Sequence, residues 1–299
     1  MPPEAVAFST ATAPAIRGEA AGEGSPIVLC HGLTATRRSV VHGSRRLERG
    51  GFLTIAYDAR GHGESDAAPA GQGYGYPRLV TDLEAVVGSQ VGEERVILAG
   101  HSMGAHTAIA FALRHPERVA ALIAIGPTYT GTRAALSTDN GANAASVVAQ
   151  SLVYWDGLAA ALEQDGIDGF VDYIDRRQAI APTWRESVLR FTRERMERHR
   201  HLDAIVRALR EVPRSAPIER MSELESLDVP TLVVASRDAA DPGHPYAVAK
   251  AYAERIPAAQ LISEPEGQSP LAWQGGRLSR EIEVFCARPA VRKRLQAAS

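Results

Sequence analysis

The chain has 299 residues, 45% of them hydrophobic and 23% charged, which suits one large globular domain or a core with an inserted lobe. Its formal net charge of −2 gives no long-range attraction for phosphate backbones, so nucleic-acid binding is not expected. No run approaches the ~18 apolar residues of a membrane span, and two distant cysteines with scattered histidines offer too few ligands for a metal site.

The amino terminus, MPPEAVAFSTATAP, lacks the basic start and unbroken apolar stretch of a secretory signal, and a soluble, cytoplasmic protein is the expectation. Six short apolar runs then recur, each closed by Gly, Pro or a polar cluster. They are IVLCHG (27–32), FLTIAYDARG (52–61), RVILAGHS (95–102), VAALIAIGP (119–127), PTLVVASRD (230–238) and AQLISEPEG (259–267). Runs of this kind suit strands buried on both faces of a parallel sheet. Between them, helical spacing is predicted over 79–87, 105–115 and 244–257. Strand and helix in alternation predict an α/β architecture. Residues 128–216 break that alternation: they hold only helical patterns, with Leu202, Ile205, Val206, Leu209 and Val212 on one face and arginines on the other. The expected organisation is a core of residues 1–127 and 217–299 with a helical cap at 128–216. Cys30 and Cys286 each adjoin an apolar run, which predicts buried thiols rather than a disulfide framework.

The strongest motif is Gly100-His101-Ser102-Met103-Gly104. A strand runs into it and a helix leaves it, the setting of a nucleophile elbow in which a strained turn lifts the serine hydroxyl above the sheet. The amide of Met103 then points where an oxyanion would form. Upstream, His31-Gly32-Leu33 follows a strand and offers the Leu33 amide as a second donor. The run Asp58-Ala59-Arg60-Gly61-His62-Gly63-Glu64-Ser65 ends the next strand. Taken singly, each is also what an ordinary turn looks like.

In their order and spacing these three motifs resemble the α/β-hydrolase family, and the resemblance spans nearly the whole chain. It implies an eight-stranded, mostly parallel sheet flanked by helices, with a helical cap inserted after the sixth strand. It also implies hydrolysis of esters, thioesters, lactones, epoxides, carbon–halogen or carbon–carbon bonds, without a cofactor. A serine at position 102 disfavours the dehalogenase and epoxide-hydrolase branches, which place aspartate there.

The family's triad runs serine, acid, histidine along the chain. The acid falls in SRDAADPGHP, where Asp238 is favoured by counting from the strand and Asp241 by counting back from the next helix. The histidine position falls on Gln268, and no histidine lies beyond His244. An amide has no basic nitrogen with which to take a proton from Ser102. His244 is the preferred substitute base, against its reading as a turn residue before the helix near Pro245. His199 and His201, on the arginine-rich cap, are the further candidates, while elbow geometry points His101 and His106 away from the hydroxyl. Arg37 and Arg38, beyond the oxyanion loop, either face a carboxylate-bearing substrate or are an exposed pair. The cap aromatics Tyr129, Tyr154, Trp155, Phe170, Tyr173, Trp184 and Phe191 are expected mostly to pack the lobe, with one or two lining a pocket.

The expected function is therefore a serine hydrolase acting on a small acyl compound, with Ser102 as nucleophile, Leu33 and Met103 as oxyanion hole, Asp241 or Asp238 as acid, and His244 as base. No metal, nucleic acid or membrane enters, and a homo-oligomer is compatible with this reading. The alternative is a ligand-binding or non-hydrolytic relative in which Ser102 and Gln268 only hydrogen-bond the ligand. A chain whose histidine was exchanged for glutamine to trap a substrate would look the same.

Overall fold

The computed structural model describes residues 4–128, 141–237 and 241–297. Eight strands form one sheet: β1 (Val6–Ser9), β2 (Arg17–Ala21), β3 (Ser25–Cys30), β4 (Phe52–Tyr57), β5 (Val96–His101), β6 (Val119–Ile125), β7 (Thr231–Ala235) and β8 (Gln260–Ser263). Their order is β1-β2-β4-β3-β5-β6-β7-β8. β2 pairs antiparallel with β1 and β4, and every other pair is parallel.

The apolar runs behave as the period of a strand requires. Val28, Cys30, Leu98, Leu122 and Ala124 pack into one core, while Ile27, Leu29, Ile97, Ala99, Ile123 and Ile125 pack into the core on the opposite face. The helices α1 (Arg46–Arg49), α2 (Tyr76–Gln90) and α3 (Met103–Arg114) follow in the first half of the chain. Side chains of α2 and α3 cover the first of these faces; Leu47 of α1 lies on the second. The six predicted strands are all present. β1 and β2 escape a reading by apolar runs because they are only four and five residues long and largely exposed or half-buried, as strands in the antiparallel part of a sheet can be. Cys30 and Cys286 are free and buried, and burial pushes both thiols up to about 12.

Between β6 and β7 lies a large helical insertion. It holds the stretch α4 (Gly141–Arg177), broken at Gly166, then α5 (Pro182–Met196) and α6 (Leu202–Glu211). The insertion has its own small core, in which Leu158, Leu162, Phe170, Ile174, Met196, Ile205, Val206 and Leu209 are buried. Leu33, from the loop after β3, packs against that core and so ties the insertion to the sheet's C-terminal edge. Among the predicted cap aromatics Phe170 is fully buried, Tyr154 stacks near Trp155 and Tyr173, and Phe191 is exposed. Tyr129 lies outside the described residues. Three helices complete the chain: α7 (Tyr246–Arg255), α8 (Gly275–Cys286) and α9 (Pro289–Gln296).

Candidate active site

The turn between β5 and α3 is strained. Ser102 has φ 52° and ψ −113°, left-handed backbone in a residue with a side chain, which costs on the order of 1–3 kcal/mol. Its amide donates to the Ile125 carbonyl at 2.9 Å, and its carbonyl accepts from the His106 amide at 3.1 Å. The two motif glycines are needed for close approach. A Cβ on Gly100 would lie 2.2 Å from the Gly104 oxygen, and one on Gly104 would lie 2.0 Å from the Cys30 oxygen. β3, β5 and α3 therefore meet at backbone contact, and the loop after β3 is pressed against the serine: a Cβ on Gly32 would sit 3.4 Å from the Ser102 Cβ. Met103 is the first residue of α3, where an amide has no intrahelical acceptor. The Leu33 amide lies inside the turn closed by the Ala35 amide on the Gly32 carbonyl.

The nine histidines of the chain sort by what their ring nitrogens hold. An amide N–H can only donate, so its bond fixes the tautomer of the ring that accepts it. The Ala59 amide donates to His31 Nε2 at 2.8 Å, so His31 Nδ1–H donates to the Gly32 carbonyl at 2.7 Å. The Thr34 amide donates to His62 Nε2, and His62 Nδ1–H donates to the Arg60 carbonyl at 2.9 Å. The Gly63 amide donates to His199 Nδ1 at 2.9 Å, and His199 Nε2–H donates to the Thr34 carbonyl at 3.0 Å. These three rings form a column, with centroids 5.1 and 5.5 Å apart, that fastens the insertion to the loops after β3 and β4. Burial lowers all three below the usual histidine range, His199 to about 4. His106 is held likewise between the Thr128 amide and the Tyr76 hydroxyl, and burial takes it to about 3. His42 contacts the Ala272 carbonyl. His115 pairs with Glu84 at the far end of α3, a 12-residue helix. His201 stands at the N-cap position of α6 without a side-chain capping bond.

His101 and His244 remain. Their rings lie 4.7 Å apart. His244 Nδ1 is 2.8 Å from Asp241 Oδ1. A Cβ on Gly126 would come within 3.2 Å of the His244 ring, so that ring rests on the end of β6, whose Ile125 carbonyl holds the Ser102 amide. The loop after β7 thus delivers a carboxylate–imidazole pair beside the elbow. Burial alone would raise the Asp241 carboxyl. The charge and hydrogen bond of His244, together with His101 and Arg195, hold it below its usual range instead. Burial lowers His101 to about 3, with His244 adding to the shift, and its Nε2 is buried without a partner. Asp238 lies outside the described residues.

Gln268 stands apart from this cluster. Its side chain is exposed, and Oε1 accepts from Arg277 Nη1 of α8 at 3.3 Å. The buried acid of its loop is Glu264, whose Oε1 accepts from the Arg237 amide at 2.5 Å and Oε2 from the Leu271 amide at 3.2 Å. Glu264 therefore stitches the end of β7 to the turn beyond Gln268. No motif flags it in the sequence.

The polar motif after β4 is structural. Asp58 is fully buried and accepts from the Arg37 amide, the Arg37 guanidinium and the Glu64 amide. Arg60 makes a buried two-pronged pair with Asp82 of α2, at 2.6 and 2.7 Å. Arg37 also pairs with Glu64 at 2.9 Å, so it is committed to this grid and is not the carboxylate receptor that its sequence position allows. Arg38 is exposed.

Among the described residues, His101, Asp241 and His244 also form a group whose possible metal-ligand atoms lie within 4.8 Å of one another.

A family model described as alpha/beta hydrolase fold matches residues 25–275. The chain belongs to the α/β-hydrolase fold family. An esterase from Thermogutta terrifontis, solved with malate bound, superposes on this α/β-hydrolase with a TM-score of 0.71 at 22% identity, covering 98% of this chain and 100% of that one. The 2-hydroxy-6-oxononadienedioate/2-hydroxy-6-oxononatrienedioate hydrolase 2 of Pseudomonas putida is 28% identical over 228 residues, 73% of this chain and 72% of that protein. Epoxide hydrolase B of Mycobacterium tuberculosis (strain H37Rv) is 33% identical over 109 residues, 36% of this chain and 30% of its own length. Several other curated relatives are matched over only 36% to 53% of their length. Among the described residues no helix is long and apolar enough to cross a membrane.

Proposed function

We propose that this α/β-hydrolase is a serine hydrolase of small acyl compounds, such as esters, thioesters or lactones, and that its base and acid come from one loop. Ser102 is the nucleophile, His244 the general base, Asp241 the acid that orients it, and the Leu33 and Met103 amides the oxyanion hole. The functional unit is a core of residues 1–127 and 217–299 under a cap of residues 128–216. The observation that carries this reading is the 2.8 Å contact between His244 Nδ1 and Asp241 Oδ1 beside the strained Ser102.

The chemistry follows from the tautomer. With Nδ1–H donated to the Asp241 carboxylate, the lone pair is on His244 Nε2, the nitrogen that can take a proton. As Ser102 Oγ bonds to the acyl carbon, its proton passes to Nε2, and Asp241 stabilises the resulting imidazolium. The negative charge on the carbonyl oxygen is met by the two amides. Nε2–H then protonates the leaving group as the acyl–oxygen or acyl–sulfur bond breaks. Water, activated by the same nitrogen, releases the acid. A serine also supports acyl transfer over the epoxide opening named for one relative, since the family's epoxide branch uses aspartate at this position.

Treatment with a fluorophosphonate followed by intact mass and peptide mapping tests the reading. One adduct on Ser102, absent from Ser102→Ala, is expected. An unlabelled parent that turns over no activated ester would point to a ligand-binding protein instead.

A further inference from the structure

Among the described residues several arginines of the insertion form ion pairs, and of those that form none Arg176, Arg177, Arg198 and Arg200 are exposed while Arg195 is not. Arg185 pairs with Asp175 at 2.6 Å, Arg193 with Asp168 at 2.5 Å, Arg210 with Glu163 at 2.6 Å and Arg214 with Asp156 at 2.7 Å. All four pairs are at the surface, where a guanidinium has water as a second partner. Arg195 is the one drawn inward. It is partly buried, its Nε is enclosed without a hydrogen-bond partner, and it forms no ion pair with a described residue. An enclosed guanidinium lacking an anion is costly, because the site must desolvate the charge without the hydrogen bonds that compensate for it.

Its place in the fold says where the missing anion would come from. Arg195 sits in the last turn of α5, and the chain just beyond is pinned to the loops around the elbow. His199 is hydrogen-bonded to Gly63 and Thr34, and the Arg200 amide donates to the Gly63 carbonyl at 3.1 Å. The charge of Arg195 is felt at the site itself. At Asp241 it acts with His244 and His101 against burial, and at His101 and His199 it adds to the lowering that burial causes. Tyr154 of α4 shares its surroundings. Burial pushes that phenol up to about 12, Arg195 pulling the other way, so Tyr154 stays a neutral O–H donor.

We propose that Arg195 is a specificity residue that receives a free carboxylate carried by the acyl substrate at the end remote from the scissile bond. The planar guanidinium fork matches a carboxylate with two parallel N–H donors, and an enclosed setting strengthens that match. The substrate class is then monoesters, thioesters or lactones whose acyl part bears a second, ionised carboxyl group. This assignment rests on Ser102 as the acyl acceptor, and it replaces Arg37, which Asp58 and Glu64 occupy.

The test compares mono-p-nitrophenyl glutarate with p-nitrophenyl butyrate at pH 7.5, taking the ratio of their kcat/KM values. The parent is expected to favour the anionic ester. Arg195→Gln is expected to lower the ratio by about 10- to 100-fold, mainly through KM, and Arg195→Lys to keep part of it. Arg193→Gln, on the same helix but paired at the surface, is expected to leave the ratio where it was. A parent that disfavours the anionic ester, or a ratio indifferent to Arg195→Gln, overturns the proposal. A second readout needs no turnover: glutarate is expected to raise the Tm of the parent and not that of Arg195→Gln. If the parent hydrolyses neither ester but glutarate still stabilises it through Arg195, the hydrolase reading fails and the carboxylate site stands. If glutarate stabilises both chains equally or neither, the site is refuted.

Discussion

The loops after β7 and β8 make the most instructive pair of regions in this molecule. Both leave the same edge of the sheet, and both carry a buried acid that binds specific donors. After β7, Asp241 faces the His244 imidazole, so its charge is spent on a group that can exchange a proton. After β8, Glu264 faces two backbone amides, which never titrate, and the neighbouring Gln268 turns outward to Arg277. In the proposed mechanism the first carboxylate serves the chemistry, whereas the second fixes loop geometry, although both are nearly inaccessible to solvent. Burial therefore does not separate the roles; the partner does.

Substitutions break or sharpen that contrast in a definite order. The largest effect is expected at Ser102 and His244: alanine at either should lower kcat/KM for an activated ester by about 10⁴-fold or more, measured on protein of unchanged circular dichroism. Asp241→Asn should follow, at about 10³- to 10⁴-fold, since it leaves the ring in place but removes the anion that selects the tautomer. Glu264→Gln should show in stability instead. A neutral amide keeps one acceptor for two amides, and denaturant unfolding should report a loss of about 1–3 kcal/mol. At the small end, Gln268→Ala should change kcat/KM by no more than about threefold. Gln268→His should bring no gain, because position 268 faces α8. A gain there would erase the distinction between the two loops.

Acid provides a further handle. The column of His31, His62 and His199, with His101 and His106, is depressed in the folded state relative to an ordinary histidine pKa near 6.5. The unfolded chain therefore binds more protons between that value and the folded values, about 4 for His199 and about 3 for His101 and His106. The stability these groups contribute is whole above pH 6.5 and is lost as pH falls through that window, by up to about 1.4 kcal/mol per pH unit for each histidine. Thermal melts from pH 7.5 down to pH 4.5 should show a steepening fall in Tm, softened in His199→Gln, whose amide cannot take up a proton.

Most of the fold was legible because buried parallel strands announce themselves as apolar runs, and the elbow because its glycines are dictated by backbone contacts at Gly100 and Gly104. The strands β1 and β2 were not legible, since they are only four and five residues long and largely exposed or half-buried, without the long apolar run that marks a buried strand. His244 emerged only as a substitute, for want of any later histidine. Its neighbourhood is made by β5, β6 and β7 meeting across more than a hundred residues, which no local pattern encodes. The same holds for His62, His199, Glu264 and Arg195. Each has a role fixed by groups far away in the chain, and in sequence each looks like a turn or surface residue.

Chemical rescue tests most directly where the base resides. In His244→Gly, free imidazole entering the space left by the ring should restore ester turnover in proportion to its concentration and to its unprotonated fraction. Gln268→Gly should be active beforehand and indifferent to imidazole. Full activity in His244→Gly without imidazole, or dependence on imidazole arising at position 268, would contradict the account.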